Sequence, residues 1–239
     1  NLPLKNQKII KTIDKEYGIF LAKIINSFLK NEEIDFISSH GHTIFHQPEN
    51  NFTLQIGNGK EIAKLTKTKT INNFREKDIS LNGQGAPLVP IGDMNLFPEN
   101  KYCLNLGGFA NISIKKNNQI IAFDICPVNI ILNQLCDKLD LTYDDKGDIA
   151  RNGKILPKLL NTLNQLSYYT KDPPKSLGKE WVEKNITPLI DTNYNTADLL
   201  HTFCEHIAMQ IGVILKDRTT LTTGGGVYNI YLIERIKHY

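Results

Sequence analysis

"KYCLNLGGFANISIKKNNQIIAFDICPVN", residues 101–129, decides the fold. Tyr102, Leu104 and Leu106 alternate as a half-buried strand does, Gly107–Gly108 break the run, and Ile112 and Ile114 resume it. Lys116–Asn118 make a turn, and Ile120 to Ile125 form another strand. The pattern predicts three consecutive antiparallel strands. A helix follows at once, with Val128, Ile131, Leu135 and Leu139 on one face and Pro127 in its first turn. The order is β-β-β-α. Asp124 stands where strand gives way to helix, the part of an α/β sheet where ligands collect and where a carboxylate can act as a general base. The same position suits an Asp that only caps the next helix.

Towards the carboxyl end, Leu199, Phe203, Ile207, Ile211 and Leu215 step by four along a buried helix with Thr196 as its N-cap. It leads into "TTLTTGGGVYNIYLIERI" (219–236): a β-prone run, a triple glycine and a helix. Towards the amino end, residues 1–30 carry Ile10, Ile13, Tyr17, Phe20, Leu21 and Ile24 at helical spacing. Then come a short strand "IDFISS" (34–39), a loop "HGHTIFHQP" (40–48), a strand "FTLQIG" (52–57) and a helix "KEIAKLT" (60–66). The β-prone "TKTINNF" (68–74) follows, and the Gly-, Pro- and Asn-rich "REKDISLNGQGAPLVP" (75–90) reads as a loop.

A chain of 239 residues with 41% hydrophobic residues can bury a core as one large domain or two small ones. Its 28 basic and 25 acidic residues are spread along the chain, so no basic face points to nucleic acid or anionic lipid. Cys103, Cys126, Cys136 and Cys204 form no CxxC pair and sit in apolar stretches, which reads as free buried thiols in a reducing compartment. No apolar run approaches the roughly 20 residues that span a bilayer, and no basic-then-apolar leader opens the sequence. A soluble cytoplasmic protein is expected.

Several side chains could carry chemistry. Gly107–Gly108 and Gly224–Gly226 follow strands, where a missing Cβ lets backbone N–H groups approach an anion; a hairpin asks for glycine as well. Arg75 is the one arginine between the first helix and residue 150. Its fork suits a carboxylate or phosphate, or a surface ion pair with Glu76 or Asp78. His40, His42 and His46 form H-x-H-x3-H, which suits a metal ion or hydrogen bonds to a ligand or the backbone. In "DPPKSLGKEW" (172–181) composition points to no particular chemistry.

Taken in order, "SSHGHTIFHQP" (38–48), "TLQIG" (53–57), "NNFREKDISLNGQGAPLVP" (72–90), "LNLGGFANIS" (104–113), "FDICPVN" (123–129), "DPPKSLGKE" (172–180) and "TTGGGVYNIYLIERI" (222–236) resemble the anhydro-N-acetylmuramic acid kinase family. That family belongs to the actin/hexokinase/Hsp70-like ATPases. The resemblance runs through nearly the whole chain. It implies an α/β, two-lobed actin-like ATPase (ribonuclease H-like) fold, with mixed sheets, β-β-β-α cores and ATP in the cleft between lobes. Residues 1–99 would be the remainder of the first lobe with sugar-binding loops, and 100–239 the second, carrying the nucleotide and catalytic residues. The first lobe is expected to be incomplete, because the family's "GTSLDG"-like phosphate hairpin and its closing carboxyl-terminal segment are not in this sequence.

The implied reaction uses water and ATP on 1,6-anhydro-N-acetylmuramic acid in peptidoglycan recycling. By resemblance, Asp124 is the base that draws a proton from water attacking the anomeric carbon, while O6 takes the γ-phosphoryl group. Gly107, Gly108 and Asn111 would belong to a phosphate-binding hairpin, Gly224, Gly225 and Gly226 would approach the adenosine, and Arg75, Thr43 and His40 would hold the sugar. Mg²⁺ would offset phosphate charge, and a homodimer is implied; no nucleic-acid or membrane partner is. Ile125, Cys126 and Val128 replace small residues of the family's "FDTGPGN"-like stretch, which predicts a narrower approach to Asp124, and His42 replaces a common glutamine. Two other readings are a degenerate, non-catalytic sugar- or nucleotide-binding relative and a metal-dependent hydrolase built on the histidines.

Overall fold

The computed structural model describes residues 6–239 apart from 31, 48, 49, 118 and 192. Two compact units result, Asn1–Leu88 and Val89–Tyr239.

The first unit opens with helix α1 (Gln7–Leu29), whose N-cap Asn6 accepts a hydrogen bond from the Ile9 N–H. Strand β1 (Ile37–Ser38) follows, then β2 (His42–Gln47) and β3 (Phe52–Ile56), which pair antiparallel. Helix α2 (Gly59–Thr66) is capped by Asn58, and β4 (Thr70–Ile71) pairs parallel with β1. Helix α3 (Glu76–Ser80) completes the order.

Three details differ from the sequence reading. The expected loop 40–48 is largely strand, because Thr43, Ile44 and Phe45 are β-prone and find a partner in Phe52–Ile56; Pro48 lies outside the described residues. The Gly-, Pro- and Asn-rich stretch 75–90 contains α3 and the first turn of the next helix. The apolar stripe of α1 is only partly covered. Ile10 and Ala22 are buried, whereas Phe20 and Ile24 are exposed. Gly18 faces α2's cap, where an added Cβ would lie 2.7 Å from the Asn58 carbonyl oxygen, and this close approach turns the Gly18–Ala22 side inward.

The second unit begins with α4 (Val89–Leu96), followed by β5 (Tyr102–Leu106), β6 (Phe109–Lys116) and β7 (Gln119–Pro127). The division between units falls at 88/89 and not at 99/100, because α4 packs on β6 and β7. The β5–β6 and β6–β7 pairs are antiparallel, as the alternation requires; Asn118, in the expected β6–β7 turn, lies outside the described residues. Helices α5 (Asn129–Cys136), α6 (Asp148–Arg151), α7 (Pro157–Asn164), α8 (Lys179–Asn185) and α9 (Thr196–Leu215) follow, then β8 (Thr220–Thr223) and α10 (Ile230–His238). Strand β8 adds parallel to β5, giving the order β7-β6-β5-β8. This mixed four-stranded sheet opens with the β-β-β-α order that the sequence predicts.

Leu104, Leu106, Ile112, Phe123 and Ile125 face Ile131, Leu135, Leu199, Phe203 and Ile207 in one core. Each such side chain taken from water contributes roughly 1.5–3 kcal/mol. The N-cap of α9 is Asn195, one residue before the expected Thr196, and its Oδ1 accepts the Ala197 N–H at 2.8 Å. Pro127 ends β7 and does not open α5, and Leu139 lies beyond α5 and is exposed. All four cysteines are buried and free. Among the described residues no helix is long and apolar enough to cross a membrane.

Candidate active site

Asp124 lies near the end of β7, beside a bulge. The register steps from Ala110–Cys126 to Asn111–Asp124, so β7 carries one extra residue, and such a bulge re-aims the neighbouring side chain. Directly paired residues share a face of the sheet. Asp124 on β7 pairs with Asn111 on β6, Asn111 with Asn105 on β5, and Asn105 with Thr223 on β8. A polar row therefore crosses all four strands next to the glycine turns. The strand residues on either side, among them Leu104, Leu106, Ile112 and Phe123, are buried in the core.

Asp124 does not cap α5. The N-cap position there is Val128, without a side-chain cap; the N–H groups of Val128 and Ile130 bond to the Gly108 carbonyl at 2.8 and 3.2 Å, and that of Asn129 to Gly107 at 3.3 Å. The carboxylate instead meets residues 168–177. Leu177 N–H donates to Oδ2 at 2.8 Å, Asp124 N–H donates to the Lys175 carbonyl at 3.0 Å, and Tyr168 O–H donates to the Asp124 carbonyl at 2.6 Å. Burial pushes the carboxyl pKa above its ordinary value, and the Leu177 bond, which favours the charged form, pulls it part of the way back.

The glycines divide by what they do for the chain. Gly224 has φ +89°, and an added Cβ would lie 2.6 Å from Asn105 Oδ1 and 2.7 Å from the Leu106 carbonyl. Gly226 is as tight against Leu106. Gly107, Gly108 and Gly225 have ordinary φ, and the nearest atoms to an added Cβ stand at 3.3, 4.0 and 3.9 Å. Backbone geometry does not demand glycine at these three positions, and packing leaves room for a Cβ at Gly108 and Gly225, whereas at Gly107 it would press on Asn105 Nδ2. Gly225 borders a cavity of about 470 Å³ lined by Asn129, Tyr143, Lys146, Tyr228 and Asn229 among others.

Ile125, Cys126 and Val128 are at most 2% exposed and belong to the core of the unit.

In the first unit, Arg75 and His40 come together. Arg75 Nη2 lies 2.9 Å from His40 Nε2, and Nη1 donates to the Gly85 carbonyl at 2.8 Å. Guanidinium only donates, so His40 Nε2 accepts and its proton sits on Nδ1, which donates to the Gly41 carbonyl at 3.1 Å. Arg75 Nε is buried without a partner among the described residues. Glu76 instead accepts from Asn73 and Asp78 from Gly85 N–H, so the surface ion pair is not formed. Thr43 accepts from Gln55 at 3.4 Å. The three histidines do not converge: His42 is exposed on β2, His46 meets Thr53, and among the described residues no group of three His, Cys, Asp or Glu could hold a metal ion. That overturns the basis for a hydrolase built on them.

Compared with known proteins, residues 5–239 match the family model described as anhydro-N-acetylmuramic acid kinase. The chain belongs to the anhydro-N-acetylmuramic acid kinase family. Curated relatives of that name include one from Bacillus cereus (strain ATCC 10987 / NRS 248), 33% identical over 98% of this chain and 68% of its own length. Another, from Aliivibrio fischeri (strain ATCC 700601 / ES114), is 35% identical over 98% of this chain and 69% of its own. Among solved structures, the activator of the 2-hydroxyisocaproyl-CoA dehydratase from Clostridium difficile with bound ADPNP overlaps at a TM-score of 0.38 and 12% identity, covering 85% of this chain and 83% of that one. Overlap at this level carries no weight here.

The site residues missed from local composition in this kinase-family chain are Tyr168, Lys175 and Leu177. "DPPKSLGKE" is distinctive as a motif, but both of its contacts to Asp124, from Lys175 and Leu177, are made by main-chain groups, which leave no mark on residue type.

Proposed function

We propose that this protein is a kinase that uses ATP to open and phosphorylate 1,6-anhydro-N-acetylmuramic acid, giving N-acetylmuramic acid 6-phosphate. Family membership supports the sugar kinase class, and the single observation that carries the chemistry is Asp124. Its carboxylate is half-buried, has its pKa raised, and makes one hydrogen bond through Oδ2, so Oδ1 has no protein partner among the described residues. In this reading Oδ1 takes a proton from the water that attacks the anomeric carbon. The bond from that carbon to O6 breaks as O6 takes the γ-phosphoryl group, so one base serves both events.

Gly107 and Gly108 admit the phosphates, with Asn111 beside Asp124 in the polar row, and Gly225 with the cavity before Asn129 and Tyr228 receives the adenosine. Arg75, His40 and Thr43 hold the sugar; a guanidinium fixed by Gly85 and His40 is ready to meet hydroxyl or carboxylate oxygens. The described residues offer no cluster of three metal-ligating side chains, which fits a Mg²⁺ held chiefly by nucleotide phosphates and water, where it neutralises phosphate charge. This role belongs to cell-wall sugar recycling.

The decisive assay follows ADP release on mixing the protein with ATP and the anhydro sugar. ADP release that depends on the sugar, and that falls by about 10²–10⁴-fold in Asp124→Asn, is expected. Sugar-independent ADP release, or full activity in Asp124→Asn, overturns the assignment.

A further inference from the structure

We infer that the segment Tyr168–Leu177 is a positioning device for the base, with the Leu177 main-chain N–H dividing the two carboxylate oxygens between a structural and a chemical role. This rests on the reading of Asp124 as the base.

Strand β7 is the edge of the four-stranded sheet, so its outer side is not paired with another strand. An edge residue left unbraced could twist away. Here one short segment holds Asp124 at three points: its N–H on the Lys175 carbonyl, its C=O on the Tyr168 hydroxyl, and its Oδ2 on the Leu177 N–H. Fixing both main-chain groups sets the position of the Cα, and fixing Oδ2 sets the rotation of the carboxylate. Oδ1 is what remains to take a proton.

The brace is itself held from behind. Tyr168 is 3% exposed, its ring packs 5.3 Å from Trp181 and 5.7 Å from Tyr169, and Tyr169 O–H reaches His206 at 2.9 Å on the buried helix α9. The Lys175 ammonium sits 4.9 Å from the Tyr168 ring centroid and donates to the Tyr168 carbonyl at 3.3 Å, closing the segment on itself. The position of the carboxylate is thus tied to the core of the unit through side chains, although the segment has no regular strand pairing.

Three variants separate this role from simple support. Leu177→Pro removes the N–H and nothing polar besides. Because that bond favours the charged carboxylate, its loss moves the acid limb of kcat/KM to higher pH, whereas Leu177→Ala, which keeps the N–H, returns the limb to the wild-type position. Tyr168→Phe keeps the ring and loses the hydroxyl; kcat falls about tenfold or more with KM for both substrates unchanged, since a small misplacement of a base acts on chemistry and not on binding. Tyr168→Phe carries the test alone if Leu177→Pro does not fold. An unmoved acid limb in a folded Leu177→Pro, or a Tyr168→Phe enzyme whose loss appears in KM with kcat intact, overturns the inference. If Asp124→Asn keeps full activity, the assignment of the base fails instead, so the two failures are told apart.

Discussion

At Asp124 the charge on which the proposed chemistry rests works against stability. A carboxyl whose folded pKa lies above its unfolded value adds stability only at low pH, and that contribution is lost as pH rises through the folded pKa. At neutral pH the buried charge therefore opposes folding. Asp124→Asn retains an oxygen for the Leu177 N–H and removes the charge. Its melting temperature is expected to equal or exceed that of the unaltered protein while turnover collapses, a pairing that calorimetry and the ADP assay read together. A lower melting temperature would show Asp124 to be a structural residue. The sequence placed this residue at a strand-to-helix junction, and two readings, base or cap, were open. The structure excludes the cap, since Val128 takes the N-cap position of α5 and the Leu177 N–H, 53 positions away, bonds to the carboxylate.

The turn between β8 and α10 makes the same point for an element. "GGG" reads as a glycine-rich loop of one kind, yet its members have different reasons to be glycine. Gly224→Ala meets a φ of +89° and the atoms of Asn105 and Leu106, and is expected to destabilise by more than about 1 kcal/mol in urea unfolding. Gly225→Ala makes only an ordinary van der Waals contact with Asn129 Nδ2 at 3.9 Å, so its stability should stay within about 0.5 kcal/mol of the unaltered protein while nucleotide affinity, read by calorimetry with ADP, weakens. Equal destabilisation by both would refute this division. Helix α9 was legible along its length because Leu199, Phe203, Ile207 and Ile211 repeat at helical spacing and all are buried. Phe203→Ala should remove about 3–5 kcal/mol. By contrast α1 carries a similar stripe, and its Phe20 and Ile24 remain exposed, because periodicity states which side could be covered and not whether anything covers it.

For the second unit as a whole, pH should act most strongly through His206. It is buried on α9 between Asn164 Oδ1 at 2.7 Å and Tyr169 O–H at 2.9 Å, and burial lowers its pKa from 6.5 to about 3. The unfolded chain takes up the proton first, so stability is complete above pH 6.5 and declines as pH falls from 6.5 towards 3. The slope approaches about 1.4 kcal/mol per pH unit in the lower part of that window. Urea titrations across that range check it, and His206→Gln should flatten the decline; an unchanged slope in that variant removes the explanation. Glu205, 2% exposed and bound by Arg235 and Tyr239, ties α9 to α10 in the same unit.

Alternation and helical spacing are local properties, so residues 101–129 were enough to state the β-β-β-α order, the hairpin at Gly107–Gly108 and the strand-end position of Asp124. Register across strands is not local. The row Asp124–Asn111–Asn105–Thr223, the brace from residues 168–177 and the meeting of Arg75 with His40 each join groups far apart in the chain. Such contacts exist only once the core has closed and brought the segments within hydrogen-bond reach, and where they run through main-chain N–H and C=O groups, which nearly every residue carries, the amino-acid order leaves no trace of them.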